Sequence, residues 1–462
     1  MDQSIIFDTK LIRRYDKSGP RYTSYPTAVQ FHEGFGDQDY RRHANATNQE
    51  AQLRPLSLYF HIPFCDTLCF YCACNKIATK NRAHAVPYLE YLHKEIAMQG
   101  ELFDDSRIVE QLHWGGGTPT FINHDQMAAL MQVTRDNFTL ADDDTGEFSI
   151  EIDPREVKTD TIKLLRELGF NRMSLGVQDF DVAVQKAVNR IQSEEQTFSV
   201  LNQAHEYGVK SVSVDLIYGL PFQSLASFET TVDKVIDAGP DRLSVFNYAH
   251  LPDIFTPQKR IKEEDLPSPA EKLDILQSTI ERLTKAGYVY IGMDHFAKPD
   301  DELAQAQREG SLYRNFQGYS THADCDLIGL GVTSIGMVGN TYSQNVKTTE
   351  EYYQKLDAGE LPIYRGLELN KDDVLRREVI TQLICHFELE FDKIEKAFDI
   401  SFKDYFANEL EDLRQMQEDG LVNVSETSIV VNPVGHLLIR NICIPFDVYL
   451  RKQTQQRFSK VI

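Results

Sequence analysis

No apolar run in this 462-residue chain approaches the length of a membrane span. The first fifteen residues mix Asp2, Asp8, Lys10, Arg13 and Arg14 with short apolar pairs, so the continuous apolar core of a secretory signal is missing as well. Basic charge is in deficit: 48 Lys and Arg stand against 70 Asp and Glu, a formal net charge of -22, which argues against nucleic acid or an anionic membrane as the main partner. It does not exclude a small anionic substrate, because a few arginines converging in a cleft outweigh a distant acidic surface. There is no repeat of fixed period and no low-complexity segment. Cysteine is scarce, with seven residues, an odd number that suits a reducing cytoplasm better than a disulfide framework. What remains is an ordinary globular composition, 42% apolar and 26% charged, long enough for one large domain and a smaller one.

Four of the seven cysteines, Cys65, Cys69, Cys72 and Cys74, fall within ten residues. Clustered thiolates bind a soft metal or an iron-sulfur centre. The spacing Cys65-x3-Cys69-x2-Cys72 offers three ligands from one tight loop, and a cubane held by three protein ligands leaves one iron open to a cofactor. Phe70 and Tyr71, between the last two, would shield such a cluster and offer a face to an adenine. A structural zinc bound by all four cysteines is the alternative, although structural zinc usually draws on two separated pairs. Further on, Trp114-Gly-Gly-Gly-Thr-Pro-Thr120 presents backbone amides with no side chains in the way, suited to a carboxylate or an amino-acid ligand. Its spacing is neither that of a dinucleotide-binding turn nor that of a P-loop.

Short β-branched or alternating runs at 57–62, 108–114, 148–152, 172–177, 212–218, 243–248 and 288–293 alternate with helical patterns such as 86–96, 161–168 and 272–285. This order predicts an α/β fold with a parallel sheet and right-handed crossovers, a barrel or part of one. Cys65, the glycine run, Asp153 and Gln178 each follow a strand, at the edge where loops converge in such folds. Beyond about residue 365 a helix at 372–387, a second at 405–418, a hairpin at 421–432 and a partly helical 435–450 interrupted by Pro445 form a helix-hairpin-helix order like that of a winged helix. Residues 366–462 carry 12 Lys and Arg against 17 Asp and Glu, so packing or lid duty is expected there and not DNA binding.

The cysteine spacing followed by the glycine loop resembles the radical S-adenosylmethionine superfamily. Within it, Gly19-Pro-Arg-Tyr-Thr-Ser-Tyr-Pro26, Tyr59-Phe-His-Ile-Pro-Phe-Cys65, Cys72-Ala-Cys-Asn-Lys76, Ile152-Asp-Pro-Arg-Glu156, Gly176-Val-Gln-Asp-Phe180, Asp215-Leu-Ile-Tyr-Gly-Leu-Pro221, Phe246-Asn-Tyr-Ala-His-Leu-Pro252, Gly292-Met-Asp-His-Phe296 and Arg440-Asn-Ile-Cys443 are similar to the oxygen-independent coproporphyrinogen III dehydrogenases of haem biosynthesis. The resemblance covers nearly the whole chain. It implies a partial (β/α)6 TIM-like barrel of the radical SAM type at 55–364, an N-terminal extension at 1–54 contributing to the active site, and a smaller, mainly helical C-terminal domain at 365–462. Cys65, Cys69 and Cys72 would ligate a [4Fe-4S] cluster, with Cys74 a nearby non-ligand. The open iron would take the amino and carboxylate groups of one S-adenosylmethionine, matched by Tyr59, Tyr71, Gly116, Glu151 and Ile335. A second S-adenosylmethionine is matched by Gly117, Thr118, Gln178, Arg190, Asp215 and Ala249. Family members often carry Phe where Tyr71 stands, which keeps the ring and leaves the hydroxyl without an assigned role.

Taken singly, Glu151 and Asp215 read as surface carboxylates or caps, Arg190 as a helix ion pair, Gln178 as a cap, and Ala249 and Ile335 as core; their joint agreement with one family makes them binding residues. The implied reaction is removal of a propionate β-hydrogen by a 5'-deoxyadenosyl radical and loss of carbon dioxide, performed twice, giving protoporphyrinogen IX. Implied partners are the porphyrinogen and an electron donor and acceptor, with a monomer in the cytoplasm as the expected state. Four substrate carboxylates need cationic partners, and Arg21, beside Tyr22, is one candidate contact. The rival within the superfamily is its haem-chaperone branch, which typically lacks the Pro20-Arg-Tyr-Thr-Ser-Tyr25 segment and usually has an aromatic residue at the position of Cys74.

Overall fold

Leu56–Ile62 is buried at every position but Tyr59, as a strand covered on both faces must be, and it forms the first strand, β1. The computed structural model describes residues 5–15, 19–142 and 144–452. The outermost residues of the expected N-terminal and C-terminal regions therefore lie outside the described residues. Two compact units emerge: residues 31–275 with 324–368, and residues 1–30 with 276–323 and 369–462.

In the first unit β1 is followed by β2 (Val109–Gly116), β3 (Glu147–Ile152), β4 (Arg172–Gln178), β5 (Ser211–Tyr218) and β6 (Arg242–Asn247), each parallel to its predecessor. Helices Ala85–Gly100, His124–Asn137, Thr161–Glu167, Glu194–Glu206 and Leu225–Ala238 lie between successive strands. Asn123, Ser193 and Ser224 start three of them with reciprocal capping boxes, which fix where each loop ends. Six parallel strands with helices between them make the partial (β/α)6 arrangement that the resemblance implied.

Beyond β1 the sheet continues the other way through strands that the sequence did not reveal. Asp326–Leu330 (β7) is buried throughout and pairs parallel to β1. Ile335–Val338 (β8), Thr341–Asn345 (β9) and Ile363–Glu368 (β10) then follow as antiparallel neighbours.

The run at 288–293 does not make a seventh parallel unit. In the second unit Val289–Gly292 pairs antiparallel with His295–Ala297. That unit also holds the helix Lys371–His386 and a three-stranded sheet of Glu388–Glu390, Ser428–Val431 and Val422–Val424, so the expected hairpin is present. The helix expected at 405–418 is divided into Phe402–Tyr405, Ala407–Asp412 and Arg414–Glu418, though i to i-4 bonds run on through Phe406 and Leu413. No helix among the described residues is long and apolar enough to cross a membrane.

One buried carboxylate ties the first unit together behind β1. Glu95 accepts hydrogen bonds from the Gly331 amide at 2.7 Å, Asn345 Nδ2 at 2.8 Å and Tyr352 Oη at 2.5 Å. Burial outweighs these bonds and pushes its carboxyl up to about 7. The protonated form is thus favoured in the folded state, so this contribution to stability is complete below the unfolded pKa and is lost as pH rises through about 7. The difference from the ordinary value corresponds to about 3 kcal/mol. Denaturant titrations on either side of neutrality should show stability declining with pH in the native protein and a flatter profile in Glu95→Gln.

Candidate active site

Alternate positions on the parallel strands are half-buried where their neighbours are fully buried: Ser149 and Glu151 on β3, Ser174, Gly176 and Gln178 on β4, and Ser213, Asp215 and Ile217 on β5. A period of two places each set on one face of the sheet. Register brings them into a row, with Tyr59 opposite His113, His113 opposite Ser149, Glu151 opposite Ser174, and Gly176 opposite Asp215. Side-chain bonds link the row: His113 Nδ1 lies 2.5 Å from Ser149 Oγ, and Ser174 Oγ donates to Asp215 at 3.1 Å. The Tyr59 and His113 rings stack at 5.7 Å. Tyr59 also pairs with Gly329 of β7, whose missing side chain leaves room for the Ile335 backbone; a Cβ there would come within 2.8 Å of it. Ile335 thereby joins Tyr59.

The cysteine loop leaves the end of β1 and is pinned to the glycine loop at the end of β2. The Gly117 amide donates to Ile62 O at 2.8 Å and the Thr118 amide to Phe64 O at 2.7 Å. Gly116 has φ +113 and faces the His61 ring, so a side chain would be both strained and obstructed. Its amide donates to Glu151 Oε2 at 3.1 Å, which fixes the carboxylate beside the loop. His61 itself is held between Tyr59 Oη at 3.2 Å and the Asn75 carbonyl at 3.0 Å.

Charge converges on Cys69. Its sulfur accepts from Arg155 and from Arg190, each at 3.7 Å. Both guanidiniums also bind Asp153, at 2.7 Å and 3.0 Å. Burial acts to raise the Asp153 carboxyl, but Arg190 and Arg155 outweigh it and hold it at about 2. Arg190 further donates to Gly176 O at 2.5 Å. Thr118 Oγ1 donates to Cys65 Sγ at 3.7 Å. Burial pushes the Cys65 thiol up to about 12, while the Cys74 thiol, with help from Lys76, lowers Cys72 to about 6.

These features suit the groups expected from the resemblance. The donors on the Cys65 and Cys69 sulfurs are of the kind that stabilise cluster sulfurs. Cys74 is exposed and spends its proton on Cys72. Gln178 Oε1, Arg190 Nε and Asn247 Oδ1 are buried without a hydrogen-bond partner, all near the ends of β4 to β6 or the loops that follow. Unsatisfied polar atoms there are what a polar cofactor would complete. Gln178 stands at φ +68, a left-handed turn that ends β4. Tyr71 packs with Phe70 against the cluster of Val184, Val188, Leu220, Tyr248 and Ile261. Ala249 is half-buried in the segment after β6.

Arg21 and Tyr22 belong to the other compact unit. Arg21 pairs with Asp294 at 3.4 Å and keeps 39% of its side chain exposed. Tyr22 is buried and donates to Asp447 at 3.1 Å. Asp153 and Arg155, directly after β3, and His61 and His113, on β1 and β2, have no role assigned from the sequence; position alone marks them.

Residues 59–235 match the Radical SAM superfamily and residues 369–438 match the HemN C-terminal domain. The chain is 56% identical to the oxygen-independent coproporphyrinogen III oxidase of Pseudomonas aeruginosa, with 100% of both chains covered. It is 54% identical to that of Escherichia coli, over 100% of this chain and 99% of the relative, and 47% identical to that of Synechocystis sp., over 99% of each. The solved structure of coproporphyrinogen III oxidase (HemN) from Escherichia coli, described as a radical SAM enzyme, superposes with a TM-score of 0.92 at 52% identity, covering 96% of this chain and 100% of that one.

Proposed function

This chain belongs to the oxygen-independent coproporphyrinogen III oxidases of the radical SAM superfamily, and from that premise we propose how its residues divide the work. It is an oxidoreductase of haem biosynthesis that converts coproporphyrinogen III to protoporphyrinogen IX, two propionates becoming vinyl groups with loss of carbon dioxide. A propionate β-carbon carries no acidic proton, so proton transfer alone has little purchase on it. When bound, the [4Fe-4S] cluster and S-adenosylmethionine supply hydrogen abstraction by a one-electron route.

Cys65, Cys69 and Cys72 hold the cluster; Arg155 and Arg190 neutralise the sulfur of Cys69. Tyr59, Tyr71, Gly116, Glu151 and Ile335 hold the S-adenosylmethionine next to the cluster, with the Glu151 carboxylate oriented by the Gly116 amide. Gly117, Thr118, Gln178, Arg190, Asp215 and Ala249 hold a second molecule. The observation that carries this reading is Arg190, which touches the Cys69 sulfur and also offers a buried, unpaired Nε, so cluster loop and cofactor cradle share one residue.

Burial pushes the Asp215 carboxyl up to about 6. Its carboxylate accepts from the hydroxyls of Ser174 and Ser244, and protonation removes one acceptor. Equilibrium dialysis should therefore show the second S-adenosylmethionine weakening as pH falls from about 7 to about 5, by up to roughly tenfold per pH unit, with Asp215→Asn weaker and flat.

An anaerobic assay with S-adenosylmethionine, a low-potential reductant and an added electron acceptor tests the whole reading. The expected products are protoporphyrinogen IX and two carbon dioxide molecules per substrate. Stable haem binding without carbon dioxide release would place the chain with the haem chaperones instead.

A further inference from the structure

In the second compact unit the hairpin Tyr313–Asn315 and Gly318–Ser320 sets Arg314 opposite Tyr319. The guanidinium lies 4.8 Å over the Tyr319 ring. That ring is fixed: its hydroxyl donates to Ile384 O at 3.4 Å, its edge meets His295 at 5.3 Å, and Gly292 faces it because a Cβ would lie 2.2 Å from the hydroxyl. Arg314 Nε and Nη1 are nevertheless buried with no hydrogen-bond partner. Gln317 Nε2, on the turn of the same hairpin, is likewise buried and unpaired. Stacking on an aromatic face offsets charge and leaves these N–H groups unsatisfied.

Burial, then the charges of Arg21 and Arg314, bring buried Arg440 down to about 10, and Asp294, paired with Arg21, is the opposing carboxylate. Arg440 is anchored by Pro20 O and Gly19 O. Unpaired donor atoms on Arg314 and Gln317, close enough to Arg440 for the Arg314 charge to be felt there, describe a place for an anion.

We propose that Arg314 and Gln317, in the field of Arg440 and Arg21, form a subsite for a carboxylate of coproporphyrinogen III that is not undergoing reaction. The proposal rests on the function stated above. While one propionate reacts, three carboxylates of the substrate require cationic partners, and guanidinium is the group best matched to them. Arg21 here supplies charge while its own contact is to Asp294; the donors come from a hairpin that the sequence did not single out.

The test compares Arg314→Met and Arg314→Lys with the native holoenzyme. Arg314→Met should raise KM for coproporphyrinogen III by roughly ten- to a hundredfold, with iron content and S-adenosylmethionine binding unchanged. Arg314→Lys should recover part of the loss. The tetramethyl ester of the substrate, which has no charge to place there, should bind the native protein and Arg314→Met equally weakly. An unchanged KM in iron-replete Arg314→Met, beside an active native enzyme, overturns the subsite and leaves the function standing. Absence of vinyl product from the native enzyme overturns the function itself. Should Arg314→Met lose its iron, Gln317→Leu provides the same comparison, and an unchanged KM there counts equally against the subsite.

Discussion

Alanine at Cys65, Cys69 or Cys72 should yield a colourless protein without iron and with turnover at background, while Cys74→Ala keeps its iron. The three are not interchangeable with the fourth, although all four lie within ten residues. Cys69 receives two guanidinium donors and Cys65 one hydroxyl, so both sulfurs are already surrounded by groups that stabilise negative charge. Cys74 is exposed, its nearest cation is Lys76, and its thiol donates to Cys72. Loss of a ligand should exceed the roughly 10- to 100-fold that changes around a metal site usually cost. Iron and sulfide analysis, with electron paramagnetic resonance after reduction, separates the outcomes. A zinc site built on all four cysteines would lose its metal in Cys74→Ala as well, and that result would sink the three-ligand reading.

Much of the parallel core was legible because each strand is a short local pattern. The runs at 57–62, 148–152 and 212–218 fall within a residue of the strands Leu56–Ile62, Glu147–Ile152 and Ser211–Tyr218. The antiparallel arm β7 to β10 was not legible, since Gly329, Gly331 and Gly336 interrupt its apolar runs and its partner β1 lies some 270 residues earlier in the chain. For the same reason the sequence pattern reads Ile335 as core, and only the resemblance and the pairing of Gly329 with Tyr59 set it beside the proposed site. The run at 288–293 has the composition of a buried strand, yet Gly292 and the turn at Met293, with φ 55, fold it back into a hairpin. In the 405–418 helix, Phe406 and Leu413 are fully buried and draw the helix inward at two points, a tertiary demand that helical periodicity does not register.

The glycine loop was visible as three glycines, but not that each is required for a different reason. A methyl group at Gly115 would meet only side-chain atoms, of Glu151 and His113, at 3.0 Å, and these yield more easily than backbone. At Gly116 it would meet the His61 ring at 2.8 Å and require φ +113 of a residue with a Cβ. At Gly117 every close atom is backbone, with Phe64 O and Pro63 C at 2.7 Å and Phe64 N at 2.9 Å. That backbone leads directly into Cys65 and is clamped by the Gly117 and Thr118 amides. Gly117→Ala therefore has no small adjustment open to it. It must displace the segment that carries Cys65, the proposed first ligand, at a cost of more than about 3 kcal/mol on the scale of overpacked interiors. We expect Gly117→Ala to fail to retain its cluster, as Cys65→Ala does, although it removes no ligand. Gly115→Ala should keep its iron and lose affinity for S-adenosylmethionine through a displaced Glu151. Reconstituted iron per chain, measured beside S-adenosylmethionine binding, orders the three variants. Full iron occupancy in Gly117→Ala would mean that the junction between the two loops yields more easily than its backbone contacts allow.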